Sequence, residues 1–307
     1  MLTSIEICAG AGGQALGLEM AGFSHIALVE YEKKYCETLR KNRPKWNVIC
    51  EDVRKFSGYP YYGKVDLLAG GVPCPPFSKA GKQLGSEDER DLFPEAIRLI
   101  SEIKPRAVML ENVRGFLDPI FDEYRESILS QIRELGYRVQ IKLLNASDYG
   151  VPQLRPRVVI IGIRCDEKKL FHYPIEHPEN TKTVGETLVD LMKTNGWKDA
   201  DAWAASADTI APTIVGGSKK HGGPDLGPAR ARKAWAGVDG IGVANEPPGK
   251  DFAGIPKLTP RMIARIQGFP DNWFFADKKT PACRMIGNAF PPPVACAVGN
   301  EIRRILE

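Results

Sequence analysis

Ser4-Ile5-Glu6-Ile7-Cys8-Ala9-Gly10-Ala11-Gly12-Gly13-Gln14-Ala15-Leu16-Gly17-Leu18 is the stretch that decides the fold. A strand-like apolar run, Ile5 to Cys8, gives way to a glycine-rich turn, and a helical pattern from Gln14 to Ala21 follows at once. Strand, glycine turn and helix in that order open a βαβ unit. The glycines let the backbone approach a ligand closely, and the first turn of the helix offers N–H groups without intrahelical partners. Glu30 ends the next strand candidate 20 residues after Gly10, a place where a carboxylate accepts hydrogen bonds from ribose hydroxyls. Asp52 follows the third strand. Together they describe a nucleoside-bearing cofactor lying across strand ends. With Ala15 third in the glycine pattern, the loop suits a dinucleotide as well as S-adenosylmethionine.

Outward from this unit the alternation continues. Strand candidates are Ile26 to Glu30, Val48 to Cys50, Val65 to Ala69, Ala107 to Glu111, Val139 to Leu144 and Val158 to Arg164. Between them lie the helix candidates Lys33 to Lys41, Leu92 to Ile103 and Phe121 to Leu135, the last with Phe121, Tyr124, Ile128, Ile132 and Leu135 on one face. The class is α/β, a Rossmann-like parallel sheet with helices on both faces. After Cys165 the chain turns to short polar stretches broken by Gly216-Gly217, Gly222-Gly223-Pro224 and Pro247-Pro248-Gly249. Residues 165–280 therefore read as a small, loop-rich second domain. Residues 1–164 form the first, completed by 281–307, where Val294, Val298, Ile302 and Ile305 restore helical spacing.

A length of 307 residues is about two domain lengths. With 43% hydrophobic and 26% charged residues, a disordered or fibrous chain is excluded. The seven cysteines are an odd number with no C-x-x-C spacing, which argues against a disulfide framework or zinc knot and for a reducing, cytoplasmic setting. No apolar run approaches the roughly 18 residues of a membrane span, and Glu6 interrupts the only early apolar stretch, so neither a membrane partner nor a signal peptide is expected. The four histidines show no ligand spacing, and no metal is expected.

Gly70-Gly71-Val72-Pro73-Cys74-Pro75-Pro76-Phe77-Ser78 ends the fourth strand, at the edge where open α/β sheets place their ligands. Prolines on both sides of Cys74 restrict φ and hold the thiol in one direction, as a nucleophile needs. Glu111-Asn112-Val113 brings a carboxylate to the same edge. In Gln153-Leu154-Arg155-Pro156-Arg157, two guanidinium groups two residues apart point to one side of an extended chain, where they can clamp a carboxylate, a carbonyl or a phosphate.

This ordered set, with Glu51-Asp52-Val53, Leu258-Thr259-Pro260-Arg261 through Gln267-Gly268-Phe269-Pro270 and Gly287-Asn288-Ala289, resembles the C5-cytosine-specific DNA methyltransferase family over essentially the whole chain. The resemblance implies transfer of a methyl group from S-adenosyl-L-methionine to carbon 5 of a cytosine flipped out of a specific duplex sequence, and a role as the modification enzyme of a restriction-modification system. It makes Cys74 the nucleophile at carbon 6, Glu111 the carboxyl at ring nitrogen N3, Arg157 the group that holds the base carbonyl and steadies Glu111, and Arg155 a cation beside the thiol. Cofactor contacts would come from Cys8, Ala9, Gly10, Gly12, Glu30, Tyr31, Asp52, Val53, Pro73, Leu92, Asn288 and Ala289. Cys8 stands where the family usually has Phe, Pro75 where Gln is frequent, and Asp91 where Gly is frequent. Rival readings are a tRNA cytosine-C5 methyltransferase, a catalytically inactive DNA-binding module, and a nicotinamide-dependent oxidoreductase, which explains the first motif and nothing after it.

The net charge of +4 hides its distribution. Tyr149 to Arg164 carries +3, Lys219 to Lys233 carries +4 and Phe252 to Pro270 carries +3, leaving −6 for the rest. Double-stranded DNA is the expected partner, with no obligate protein partner implied, and positive charge is concentrated where phosphate contacts would be made. Thr213-Ile214 resembles the family's Thr-aliphatic pair in the target-recognition region. DNA contacts are expected from Ser78, Lys82, Thr213, Lys219, Lys220, Arg230, Arg232 and Arg261. Trp197, Trp203 and Trp235 are read as core of the small domain.

Overall fold

Apolar runs bounded by turns become the strands of one seven-stranded sheet: β1 (Thr3–Ile7), β2 (Ser24–Glu30), β3 (Val48–Cys50), β4 (Leu67–Gly71), β5 (Ala107–Val113), β6 (Tyr137–Asn145) and β7 (Pro156–Arg164). The computed structural model describes residues 1–73, 91–216, 226, 233–235 and 237–307. Strand order is β3-β2-β1-β4-β5-β7-β6. Strands β1 to β5 pair in parallel, so the carboxyl ends of β1, β2, β4 and β5 share one edge, and the order reverses between β1 and β4. That reversal is the topological switch point at which such sheets bind ligands.

One strand departs from the expected parallel sheet. β7 is antiparallel to β5, with Val113 opposite Arg157 and Glu111 opposite Val159. The segment between β6 and β7 contains no crossover helix, and a parallel connection requires one. The reversal brings the start of β7, with Arg157, to the edge where β5 ends.

The chain divides into two compact units. The first comprises residues 1–144, 156–174 and 295–307, and the second 145–155 and 175–294. Residues 145–155, expected with the first domain, cluster with the second. In the first unit, α1 (Gly13–Met20), α2 (Lys33–Asn42), α3 (Phe93–Ile103) and α4 (Asp122–Glu134) flank the sheet. Ile5 and Ile7 pack in one core with Val29, Leu68, Phe93, Leu99, Leu110, Ile128 and Ile132, all buried. Of the apolar face expected on α4, Ile128 and Ile132 are buried while Leu135 is exposed.

The second unit contains α5 (Val184–Met192), α6 (Ala200–Ser206), α7 (Pro260–Ile266) and α8 (Lys279–Asn288). Thr183 and Glu186 form a capping box on α5, and Thr259 caps α7 through the Met262 N–H at 3.3 Å. Trp197, Trp203 and Trp235 are buried here, as expected for core residues. The last helix, α9 (Pro292–Leu306), buries Val298 and Ile302 and sets Gly299 so close to α1 that a Cβ there would lie 2.8 Å from the Ala21 side chain.

Candidate active site

β1 leads into a turn built on left-handed backbone: φ is 53° at Cys8, 55° at Gly10 and 85° at Gly12. Glycine adopts this freely, whereas Cys8 carries a cost of roughly 1–2 kcal/mol. Two hydrogen bonds fix the turn, Ala9 N–H to Val29 O at 3.1 Å and Gly12 N–H to Ala9 O at 3.0 Å. The Glu30 carboxylate accepts from Gly10 N–H and from Glu32 N–H, each at 2.8 Å, and so ties the ends of β1 and β2 together. Burial pushes its pKa up, while the two backbone N–H groups pull it down. Beyond the turn, Gly12 is the N-cap of α1, with no side-chain capping hydrogen bond. Gln14, in its first turn, is buried with neither amide atom hydrogen-bonded.

Farther along the edge, Asp52 accepts from the Arg54 N–H at 3.0 Å and pairs with the Arg54 guanidinium at 3.2 Å. Val53 is buried, and its carbonyl, with that of Phe56, is held by Arg98 Nη2 at 3.1 and 3.0 Å. Tyr31 is exposed and Leu92, at the start of α3, is half-buried. Asp91 accepts from the Phe93 N–H at 3.0 Å and from the Tyr124 hydroxyl, so a carboxylate in the position where Gly is frequent binds the start of α3 to α4.

At the ends of β4, β5 and β7 the arrangement is tighter. Gly71 pairs with Glu111, and a Cβ at Gly71 would lie 3.3 Å from Glu111 Oε2, which glycine avoids. Arg157 Nε donates to Glu111 Oε1 at 2.9 Å, with both side chains only 12% exposed. Burial lowers the Arg157 pKa, and Glu111 opposes that shift. Such a charge-assisted, desolvated pair has one orientation and resists exchange with water. Asn112 Nδ2 donates to Val72 O at 2.9 Å, pinning the chain two residues before Cys74. Cys74, Ser78, Lys82, Lys219, Lys220, Arg230 and Arg232 lie outside the described residues.

In the second unit, Arg155 is completely buried. The guanidinium expected beside the thiol donates from Nη1 to Ile214 O at 2.7 Å and from Nη2 to Gly287 O and Ala289 O at 2.5 and 3.1 Å. Thr213 Oγ1 donates to Leu154 O, and Arg261 pairs with Asp271 at 2.9 Å. Asn288 is exposed and Ala289 buried.

The family model for C-5 cytosine-specific DNA methylases matches residues 2–304. The chain belongs to the C-5 cytosine-specific DNA methylase family. It is 58% identical over 309 residues to the type II methyltransferase M.NgoMIV of Neisseria gonorrhoeae, covering 99% of this chain and 98% of that one. Identity to M.NaeI of Lentzea aerocolonigenes is 55% over 313 residues, 99% of this chain and 75% of the relative. Among solved structures, Spodoptera frugiperda DNMT2 superimposes over 100% of both chains with TM-score 0.69 at 17% identity, a likeness that bears on the fold. The α/β architecture of a DNA cytosine-C5 methyltransferase is thus established for this chain.

Within this methylase, the structure places Cys8, Ala9, Gly10, Gly12, Glu30, Tyr31, Asp52 and Val53 at or just beyond the carboxyl ends of β1, β2 and β3, and Pro73 just beyond β4. Glu111 and Arg157 meet directly. Four further polar residues, Gln14, Asn112, Gln153 and Gln267, are not distinguished individually by the sequence; the signal each carries is a side-chain amide within a motif, next to at least one apolar or glycine residue. Among the described residues no group of three or more His, Cys, Asp or Glu side chains could hold a metal, and no helix is long and apolar enough to cross a membrane.

Proposed function

We propose that this methyltransferase uses S-adenosylmethionine and Cys74 to methylate carbon 5 of a cytosine flipped out of a specific duplex sequence, as the modification enzyme of a bacterial restriction-modification system. The observation that carries the reading is the buried Glu111–Arg157 pair on the sheet edge from which the chain runs through Pro73 to Cys74. The type II methyltransferases M.NgoMIV and M.NaeI support the biological role.

The residues present fit the cofactor. An uncapped helix N-terminus beside the buried, unpartnered Gln14 amide is suited to a carboxylate, and the Glu30 carboxylate, already fixed by two N–H groups, has lone pairs left for hydroxyls. Ala9, Gly10 and Gly12 would hold its methionine part, Glu30 its ribose hydroxyls and Asp52 its adenine amino group, Cys8, Tyr31, Val53, Pro73 and Leu92 would line the site, and the family resemblance adds Asn288 and Ala289. When bound, S-adenosylmethionine supplies a sulfonium methyl that is electrophilic without a metal.

The chain's own residues do the rest. The Cys74 thiolate adds to carbon 6 of the ring and makes carbon 5 nucleophilic. Glu111, in its protonated form, gives the proton that neutralises charge developing at N3 and recovers it when the ring becomes aromatic again, while Arg157 fixes the Glu111 carboxyl and donates to the base carbonyl. Once carbon 5 has taken the methyl group, loss of its proton to a base expels Cys74 as thiolate. Flipping the base costs a few kcal/mol, which the protein–DNA contacts must offset.

Transfer of a tritiated methyl group to mixed-sequence duplex DNA checks the activity, and bisulfite sequencing of DNA from expressing cells reads the target. Cys74→Ser is expected to abolish transfer and covalent trapping by a fluorinated-cytosine duplex while cofactor binding persists. Turnover by that variant would remove Cys74 from the mechanism.

A further inference from the structure

Arg155 is a cation taken fully out of water and set among backbone carbonyls, an arrangement that an apolar side chain could replace if packing were its whole purpose. Its neighbours form a closed ring. Gln153 Oε1 accepts from Ile214 N–H at 2.9 Å and from Arg155 Nη1 at 3.3 Å. Gln153 Nε2 donates to Gln267 Oε1 at 2.7 Å, and Gln267 Nε2 donates to Ala289 O at 2.6 Å, the same carbonyl that Arg155 Nη2 reaches. All three side chains are completely buried. Four stretches distant in sequence are joined by it: 153–155, 213–214, 267 and 287–289, all within the second unit.

The joined backbones also touch. A Cβ on Gly216 would fall 2.2 Å from Asn288 Oδ1 and 2.7 Å from Arg284 O, and one on Gly287 would fall 2.4 Å from Gly216 N. Residues 152–154 are stitched to Ala211 through Leu154 N–H to Ala211 O at 2.7 Å and Ala211 N–H to Pro152 O at 3.0 Å. Thus the segment carrying Thr213-Ile214 rests directly on the turn carrying Asn288-Ala289. A planar guanidinium holds carbonyls on several sides at once, which the point charge of Lys cannot do.

We propose that Arg155, braced by Gln153 and Gln267, is a positioning residue that locks the Thr213-Ile214 recognition segment to the Asn288-Ala289 cofactor turn, so that engagement of target DNA and retention of cofactor are coupled. The inference rests on the assignment of those two segments under the proposed function. Coupling of this kind is reciprocal: DNA tightens the cofactor by the factor by which the cofactor tightens DNA.

The test is cofactor Kd by equilibrium binding, with and without a duplex bearing the target sequence, in wild type, Arg155→Lys and Gly216→Ala, together with both KM values and kcat. In wild type the duplex is expected to tighten cofactor binding about tenfold. Arg155→Lys is expected to bring that factor close to one and to raise the KM for cofactor and for DNA together, more than it lowers kcat. Gly216→Ala leaves the ring atoms in place but pushes on Asn288, and is expected to weaken coupling in the same direction even if the Lys variant does not fold. A wild type without coupling, or variants that keep it, would overturn the proposal, as would a fall in kcat with both KM values unchanged. A wild type that transfers no methyl group overturns the functional reading itself, a result distinct from an active enzyme whose coupling ignores Arg155.

Discussion

Glu6 sits in the middle of β1 with its carboxyl completely buried, and desolvation, reinforced by the nearby Glu30 charge, holds its pKa well above the ordinary carboxylate range against a hydrogen bond from the Ala15 N–H. In the unfolded chain the group ionises near its ordinary value of 4.5. The folded form keeps its proton to higher pH, so the unfolded state alone gains from ionisation as pH rises, and wild-type stability falls between 4.5 and the folded pKa. Gln has the same shape and does not ionise. Glu6→Gln is therefore expected to raise Tm by a few degrees at pH 8, with the difference from wild type shrinking toward pH 4. Thermal melts across that range check it, and a difference independent of pH would count against a protonated Glu6. Side chains of this kind mark the boundary of what the sequence disclosed: Glu30 and Glu111 stood at strand ends and could be recognised, whereas the environment of Glu6 depends on which helix covers it. The Gln153–Arg155–Gln267 ring was hidden for a related reason, since its members are up to 136 residues apart from Gln153 to Ala289 and meet only in the folded unit.

Elements were more legible than contacts. The central strands β4, β5 and β7 are largely buried on both faces and so nearly continuous in apolar residues, which made their cores visible, whereas the half-buried edge strand β6 alternates apolar with polar residues; the Gly12–Gly13 start of α1 was explicit. The direction of β7 was not visible, because an apolar run carries no record of whether it pairs parallel or antiparallel. Ion pairs between elements were equally hidden. On α7, Arg265 pairs with Asp190 of α5 and with Asp271 in the following turn, where Arg261 also binds. Hydrogen bonding to Arg265, and then to Arg261, overcomes the opposing effect of burial and lowers the Asp271 pKa from 3.8 to about 2. A depressed carboxylate contributes stability that is complete above the unfolded value and lost as pH falls through the folded one. Asp271→Asn is expected to lower Tm at pH 6, and the difference from wild type is expected to close as pH falls from 3.8 toward 2. Melts of both proteins in that window measure it; a difference that persists below the window would mean that Asp271 acts through packing instead.

At the scale of the whole molecule, the ion pairs redistribute the charge that the sequence located in three basic stretches. In Tyr149 to Arg164, Arg155 is buried on carbonyls, Arg157 pairs with Glu111 and Arg164 with Asp166. In Phe252 to Pro270, Lys257 faces Asp239 at 3.8 Å, and Arg261 and Arg265 share Asp271. A cation already neutralised by a carboxylate must exchange one partner for another to bind phosphate, and it releases fewer counterions from DNA on doing so. By charge alone, Lys219 to Lys233, with a net +4, is therefore expected to carry the greater share of the phosphate contacts. Each contact contributes about 0.9 to the slope of log affinity against log salt concentration. Replacing Lys219 and Lys220 together by Ala is expected to weaken DNA binding uniformly across sequences and to reduce that slope by about 2, whereas Arg261→Ala should change it by less than about 1. Titrations of duplex DNA at several salt concentrations distinguish the two. Equal slopes for wild type and the double Lys variant would place the phosphate contacts elsewhere and return weight to the paired arginines.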